Sequence, residues 1–349
     1  MAELTASELL VIRAKAEQSW KDNQLNKSLQ TSADAAKAVL ANQTVRIAGL
    51  DDWQKDNKVS LTFINPCAID VADCEDNCAI NAPMVSTNKK DYEPNLCKMA
   101  QFSIDETELR KNDYNKNDFL IRSMAQALGK LDEWWSVQVL AHLGLYAGFN
   151  AFPEPFDFNN ASKNTEVPAL NWNVELIADI VNQAYLNKLG DTYLLNDGTL
   201  WKDFYMAQMK AGNLDGKGEA TLIQQVNMNF DRFNFAKSGV TSNLFVVSKD
   251  AVALQTVNKN SDTPMVLGSK VGQTRYTIPS PNLAGVKYDA FYEMVCKKIG
   301  NKDHIVHSWR FETNGLIALN PESCPIDAII GGHPAVVQNT GVLGYKKTA

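Results

Sequence analysis

Asn117-Asp-Phe-Leu-Ile-Arg-Ser-Met-Ala-Gln-Ala-Leu-Gly-Lys-Leu-Asp-Glu-Trp-Trp135, running on without a proline to Tyr146, is the stretch that decides the architecture. Leu120, Met124, Leu128, Leu131, Trp135, Val139 and His142 or Leu143 recur at spacings of three and four, so one helical face is continuously apolar. Asn115 or Asn117 supplies the cap, and Gly148 followed by Pro153 and Pro155 ends the element. A helix over 118–146 is about 43 Å long at 1.5 Å per residue, about two and a half times the ordinary length. Gly129 costs it about 1 kcal/mol against alanine, which the packed face offsets. A helix this long in a mixed chain behaves as a strut.

Toward the C-terminus an aromatic loop, Phe149 to Phe158, leads to a predicted helix from Trp172 to Lys188, with Val174, Ile177, Ile180, Val181 and Tyr185 on one side. A strand from Thr192 to Leu195, the turn Asn196-Asp197-Gly198 and a helix from Leu200 to Lys210 form one strand-turn-helix unit. The strand Asn243 to Ser248 followed by a helix from Lys249 to Val257 reads as a second. Strands over 286–297, 304–311 and 316–319 are expected to pair antiparallel, and the remaining tail is rich in Gly and Pro. Toward the N-terminus, Val45-Arg-Ile47, Val59 to Ile64 and Met99 to Ile104 alternate as half-buried strands do. The long polar excursion between the latter two gives a two-stranded flap with an extended tip. Leu4 to Trp20 reads as a short amphipathic helix and Asp34 to Ala41 as another, together an arm whose apolar stripe must find cover in the chain or on another subunit.

The chain has 349 residues, 45% apolar and 21% charged, which excludes disorder and collagen-like repetition and suggests about two domains. Net charge is −6, so no global field attracts nucleic acid or an anionic membrane, and any DNA contact is local. No run of about eighteen apolar residues exists. Charges interrupt the first twenty residues, unlike a signal-peptide core, so the expected location is the cytoplasm unless the chain leaves within something larger.

Catalytic signatures are scarce. Gly212-Asn-Leu-Asp-Gly-Lys-Gly218 has three residues between its first glycines where a phosphate loop has four, and no Ser or Thr follows the lysine. There is no Gly-x-Ser-x-Gly, His-Glu-x-x-His or Gly-x-Gly-x-x-Gly. Of the four histidines, His304 and His307 lie three apart on a strand and point to opposite faces, so they do not share a metal. His142 belongs to the edge of the packed helix stripe, and His333 completes the set. Asp132-Glu133 and Asp105-Glu106 read as solvated faces or helix starts. Cys67, Cys74, Cys78 and Cys97 cluster in the flap, apart from Cys296 and Cys324. Free thiols, disulfides formed outside a reducing cytoplasm, and a weakly patterned four-thiolate zinc site all stay open. Asp70, Asp73, Glu75 and Asp76 make that neighbourhood acidic, which disfavours a nucleophilic cysteine. No catalytic, cofactor-binding or metal-ligating residue is assigned.

In order, the elements are an arm, a flap, a strut helix, a central α/β region and a strand-rich return. Phe102-Ser-Ile-Asp-Glu-Thr-Glu-Leu-Arg110 leading into Asn117 to Trp135 is similar to the strand and spine helix of tailed-bacteriophage major capsid proteins, the Hong Kong 97 fold. Tyr193-Leu-Leu-Asn-Asp-Gly-Thr-Leu-Trp201 with Lys210-Ala-Gly212 resembles the strand, turn and helix of that family's axial domain. The resemblance implies an α+β chain divided into an N-terminal arm over 1–44, an extended hairpin loop over 45–104 and the spine-helix region of a peripheral domain over 105–165. An axial domain over 166–285 and a strand-rich return with the C-terminal tail over 286–349 complete it. It further implies a structural, non-enzymatic protein without cofactor. Its partners would be identical subunits in hexamers and pentamers, with scaffold, portal and decoration proteins as further candidates, and packaged double-stranded DNA touched without sequence specificity; no membrane is involved. The implied location is a virion capsid assembled in the host cytoplasm. Some relatives join subunits through a lysine–asparagine isopeptide bond, but Lys89 and Lys90 near the flap tip show no matching partner motif and are not assigned that role. A compartment shell of the encapsulin type or another phage structural protein, and an enzyme built on the cysteine cluster with His304 or His307, are the alternatives.

Overall fold

The computed structural model describes residues 6–21, 32–44, 46–48, 58–64, 87–106, 116–206, 227–266, 273–299, 302–320, 325–330 and 333–349. The chain divides into two compact units: Met1–Lys37, Glu93–Ser136 and Gln255–Leu316 form the first, and Ala38–Tyr92, Val137–Leu254 and Ile317–Ala349 the second.

The first unit is built on an antiparallel sheet. Strand β4 (Leu96–Asp105) pairs with the long β14 (Lys302–Leu319), which pairs with β13 (Lys287–Ile299) and through it with β12 (Gln273–Pro279) and β11 (Met265–Val266). Alternation sends Tyr276, Ile278, Tyr288, Ala290, Tyr292, Trp309, Phe311 and Ile104 to a buried face. Helix α1 (Ala6–Lys21) packs on β12 with Leu9, Ile12 and Ala16 buried, and Arg13 bridges to Asp262. The arm's stripe therefore finds its cover on its own chain, while Leu10 and Val11 stay exposed on the same helix.

Helix α3 (Lys116–Tyr146) is the strut the periodicity predicts, 31 residues and about 46 Å long. Leu120, Met124, Leu128, Leu131, Trp135, Val139 and Leu143 are all buried. The buried surface is wider than one stripe, because Ile121, Ala125, Asp132, Glu133, Ser136 and Leu140 are covered too. Its residues to Ser136 belong to the first unit, where the Trp135 indole N–H donates to Thr313 Oγ1 at 2.9 Å and the Ser136 hydroxyl accepts from the Ala36 N–H of helix α2 (Asp34–Ala41) at 3.1 Å.

The second unit carries a mixed sheet in the order β5 (Asp157–Asn159), β6 (Asn164–Pro168), β17 (Val342–Thr348), β9 (Leu244–Ser248), β7 (Thr192–Asn196) and β8 (Asn227–Phe230). β17 pairs parallel with β6 and antiparallel with β9, and β7 pairs parallel with β8. Helix α4 (Leu176–Leu186) covers the sheet with Leu176, Ile180 and Ala184 against Val167, Trp172, Leu194, Leu244, Val246, Leu343 and Tyr345. A short helix α5 (Arg232–Ser238) closes on Gly239, whose φ of 71° is the left-handed stop a glycine supplies. The same unit holds a three-stranded sheet of β1 (Arg46–Ala48), β2 (Val59–Ile64) and β3 (Thr87–Tyr92), and the hairpin of β15 (Pro325–Ile330) and β16 (His333–Gln338).

Several local expectations change, and the strands expected separately over 304–311 and 316–319 are the single strand β14. The two flap strands do not pair with each other: β2 pairs with β3 and β1, and β4 lies along β14, because ten alternating residues find a longer partner there. The helix expected over 249–257 is a turn followed by strand β10 (Val252–Val257), which joins β14; Asp250 at φ 63° breaks any helical path and Val-Ala-Leu-Gln-Thr-Val suits a strand. The Gly- and Pro-rich tail ends in β17, at the middle of the second sheet. Val342, Leu343 and Tyr345 are fully buried there, so a short apolar run outweighs the flanking turn residues.

Candidate functional site

Chemistry in a protein of this size usually rests on buried or convergent polar groups. Asp132, read from sequence as solvated, is fully buried: its Oδ1 accepts from the Tyr288 hydroxyl and from Ser280 Oγ at 2.6 Å, and its Oδ2 accepts from Asn282 Nδ2 at 2.8 Å. Glu133 is 6% exposed and takes an ion pair from Lys130 at 2.8 Å. The sequence misplaces this pair because the helix buries more than its apolar stripe. Three donors converge on Asp132, yet burial is the larger influence and holds its carboxyl up at about 6.

A carboxyl raised on folding binds a proton more tightly in the folded state, so its contribution is fully present below about pH 4 and is lost as pH rises through about 6. Taken alone, the group lowers stability by roughly 2–3 kcal/mol between pH 4 and pH 7. Urea titrations of the wild type and Asp132→Asn across that range should differ in slope with pH, the variant being flatter. Parallel curves would show that Asp132 does not titrate in the window.

His304 and His307 do point to opposite faces of β14, and each meets one member of the adjacent Asp105-Glu106 pair. His304 Nδ1 lies 2.5 Å from Asp105 Oδ2; His307 Nε2 lies 3.4 Å from Glu106 Oε2, with His307 Nδ1 2.8 Å from the Tyr292 hydroxyl. Glu106 is 3% exposed, against the solvated reading, because the end of β4 carries it against buried His307. Both histidines are ion-paired groups, and His307 is also stacked between Tyr292 and Trp309. His142 Nδ1 meets the Gln138 carbonyl oxygen one turn back on α3, at the edge of the stripe as expected.

Among the described residues no group of three His, Cys, Asp or Glu side chains could hold a metal. Cys97 and Cys296 are free and exposed, on different strands. Cys67, Cys74, Cys78, Cys324 and the segment from Gly212 to Gly218 lie outside the described residues. Lys89 and Lys90 sit on β3, with the Lys90 ammonium 5.5 Å from the Tyr92 ring centroid.

What the second unit does present is apolar surface. Leu170 is 93% exposed, Tyr185 80% and Phe233 68%, and Val181, Leu186, Trp201, Tyr205 and Met206 are each about half exposed. Trp201 and Tyr205 stack at 5.2 Å on the helical segment 201–206. On α4 the buried residues are Leu176, Ile177, Ile180, Gln183 and Ala184, while Val181 and Tyr185, four apart, are exposed. Large side chains exposed in such number mark an interaction surface more often than an ordinary monomer face.

No family model matches the chain, and no curated protein matches it. Among solved structures it is similar to the cyanophage A-1(L) capsid asymmetric unit at 9% identity, covering 84% of this chain and 90% of that one with a TM-score of 0.45. The cyanophage Pam1 capsid asymmetric unit matches at 9% identity over 90% and 93% of the two chains, TM-score 0.44. A structure from Microbacterium phage Oxtober96 matches at 13% identity over 91% and 92%, TM-score 0.42. Over most of its length, this α+β chain is similar to proteins solved in phage capsids.

Proposed function

We propose that the chain is a major capsid protein that assembles through hexamers and pentamers into an icosahedral shell around double-stranded DNA. The observation that carries this reading is the number of large apolar side chains the second unit leaves exposed, among them Leu170, Tyr185, Trp201, Tyr205 and Phe233. A tyrosine or tryptophan left half in water forgoes about 1.5–3 kcal/mol of burial, and repeated contacts between identical copies recover it at every subunit. Leu10 and Val11 on α1 add a second apolar face, although the helix is anchored to its own chain. The buried strut α3 suits a part that must hold its shape while its surfaces are loaded.

Purified protein should sediment as capsomers or shells and show round particles in negative stain. Tyr185→Glu combined with Trp201→Glu places two charges where burial is required, and assembly should then need at least tenfold more protein while the melting temperature stays within a few degrees of wild type. A wild type that remains monomeric at high concentration, or a variant that assembles like it, would count against the reading.

A further inference from the structure

An open cleft of about 480 Å³ lies on the solvent side of the first unit's sheet, across β4, β14, β13 and β12. The register places Arg275, Phe291 and Arg310 directly opposite one another on three neighbouring strands, and so on one face. The Arg310 guanidinium carbon sits 4.4 Å from the Phe291 ring centroid and that of Arg275 sits 5.8 Å from it. We propose that this cleft binds the phosphate backbone of nucleic acid, with Arg275 and Arg310 as the phosphate-binding groups. The capsid reading supplies only the source of that nucleic acid.

Two guanidiniums drawn to one ring repel each other, and an anion between them removes that repulsion. Arg310 is partly neutralised by Glu312 at 2.8 Å, whereas Arg275 has no carboxylate partner among the described residues. Stacking on the ring fixes both side chains before a ligand arrives, so less rotamer entropy is lost on binding; the planar fork of Arg275 remains to take two phosphate oxygens, and Arg310, whose Nε is held by Glu312, offers its terminal N–H groups. Neutral donors stand in the next row. Ser103 and Ser308 face each other at 2.8 Å, and the Gln101 and Gln273 amides line the cleft. Glu293 also lines it, and with Glu312 it matches the two guanidiniums in number, so a phosphate is drawn by the arginine pair itself, above all by Arg275, and not by a net positive field.

The same face carries a second anchor. Lys297 is six residues along β13 from Phe291, so the pleat returns it to the same side about 20 Å away, and it is exposed, as are Lys298 and Lys302 at the hairpin end. A lone anion uses the cleft only. A polymer with a phosphate at each step engages the cleft and the lysine together.

The test is fluorescence anisotropy of the full chain with labelled duplex and single-stranded DNA of about 20 nucleotides, from about 50 to about 200 mM salt. Arg275→Gln with Arg310→Gln should weaken binding more than tenfold and reduce the slope of log affinity against log salt by about two. Arg275→Lys should keep most of the slope and lose affinity, because it keeps the charge and loses the fork. Both arginines are exposed, so matching thermal melts will establish that the variants fold. An unchanged slope in the double variant overturns the proposal. So does a wild type that ignores DNA while binding a synthetic peptide of residues 68–80, which would make the cleft a seat for acidic peptide. Wild-type shells in the electron microscope alongside an unchanged slope would reject the cleft and leave the capsid reading standing. A lost slope without shells would do the reverse.

Discussion

Trp135→Ala is expected to destabilise the first unit by about 3–5 kcal/mol, the range for deleting a large buried aromatic. The side chain is fully buried in the middle of α3, packed edge-on to Trp134 at 4.8 Å, and its N–H reaches across to Thr313 on β14. Deletion removes the apolar contact between strut and sheet and also leaves the Thr313 hydroxyl, itself 2% exposed, without its donor. Against a usual total of about 5–15 kcal/mol, that is a large share. Urea unfolding followed by near-ultraviolet circular dichroism should show the midpoint falling. With two units present the transition need not be two-state, so the comparison is of midpoints, with Trp134→Ala as the partly buried reference. If Trp135→Ala unfolds at the wild-type midpoint, the indole is not what fixes the helix to the sheet.

The strut was legible because a 3.6-residue period repeated over more than six turns is hard to produce by chance, and Leu120, Met124, Leu128, Leu131, Trp135, Val139 and Leu143 are all buried. The polar half of the same helix was not. Asp132 and Glu133 look like solvent residues in sequence, and only the loop carrying Ser280 and Asn282, about 150 positions away, turns Asp132 into a buried acceptor. Strand existence was readable from alternation, while pairing was not. Nothing local in Met99 to Ile104 distinguishes β2 from β14 as its partner, since both alternate and only the closed chain decides which is near.

The same limit applies to function. Arg275, Phe291 and Arg310 are separated by 16 and 19 positions and form no motif, so the cleft exists only as a product of register. The signal that was available is parity: three strands in antiparallel order with a cation, an aromatic and a cation on matching sides. Reading it requires knowing that β12 precedes the β13–β14 hairpin as a third strand, an element that seven mixed residues from Gln273 to Pro279 do not announce. Tyr185 and Val181 were equally misleading, because on α4 they read as part of a helix's buried face, yet they are exposed. An apolar residue reports that it needs cover and not whose cover it will have.

Gly315→Ala should cost about 3 kcal/mol or more, although a single methyl is added. Gly315 does not occupy the left-handed region, so in open space the change would stabilise by about 0.4–1 kcal/mol through the unfolded chain. Space reverses the sign. A Cβ there would stand 2.3 Å from the Gln255 carbonyl oxygen, 2.9 Å from the end of the Trp135 ring and 3.1 Å from Thr256 Cα. The carbonyl belongs to β10 and cannot swing aside, so β10 and β14 must part, beyond the 1–3 kcal/mol of ordinary overpacking. The ring is the one obstacle that substitution can remove. In a cycle with Trp135→Ala, the double variant should therefore be more stable than the two single costs imply, by about 1 kcal/mol, with the carbonyl clash remaining. Additive costs would mean that the backbone of β10 alone demands glycine. A coupling several times larger would mean that the indole demands it, and that strut and sheet meet at this one point by mutual exclusion of every larger residue.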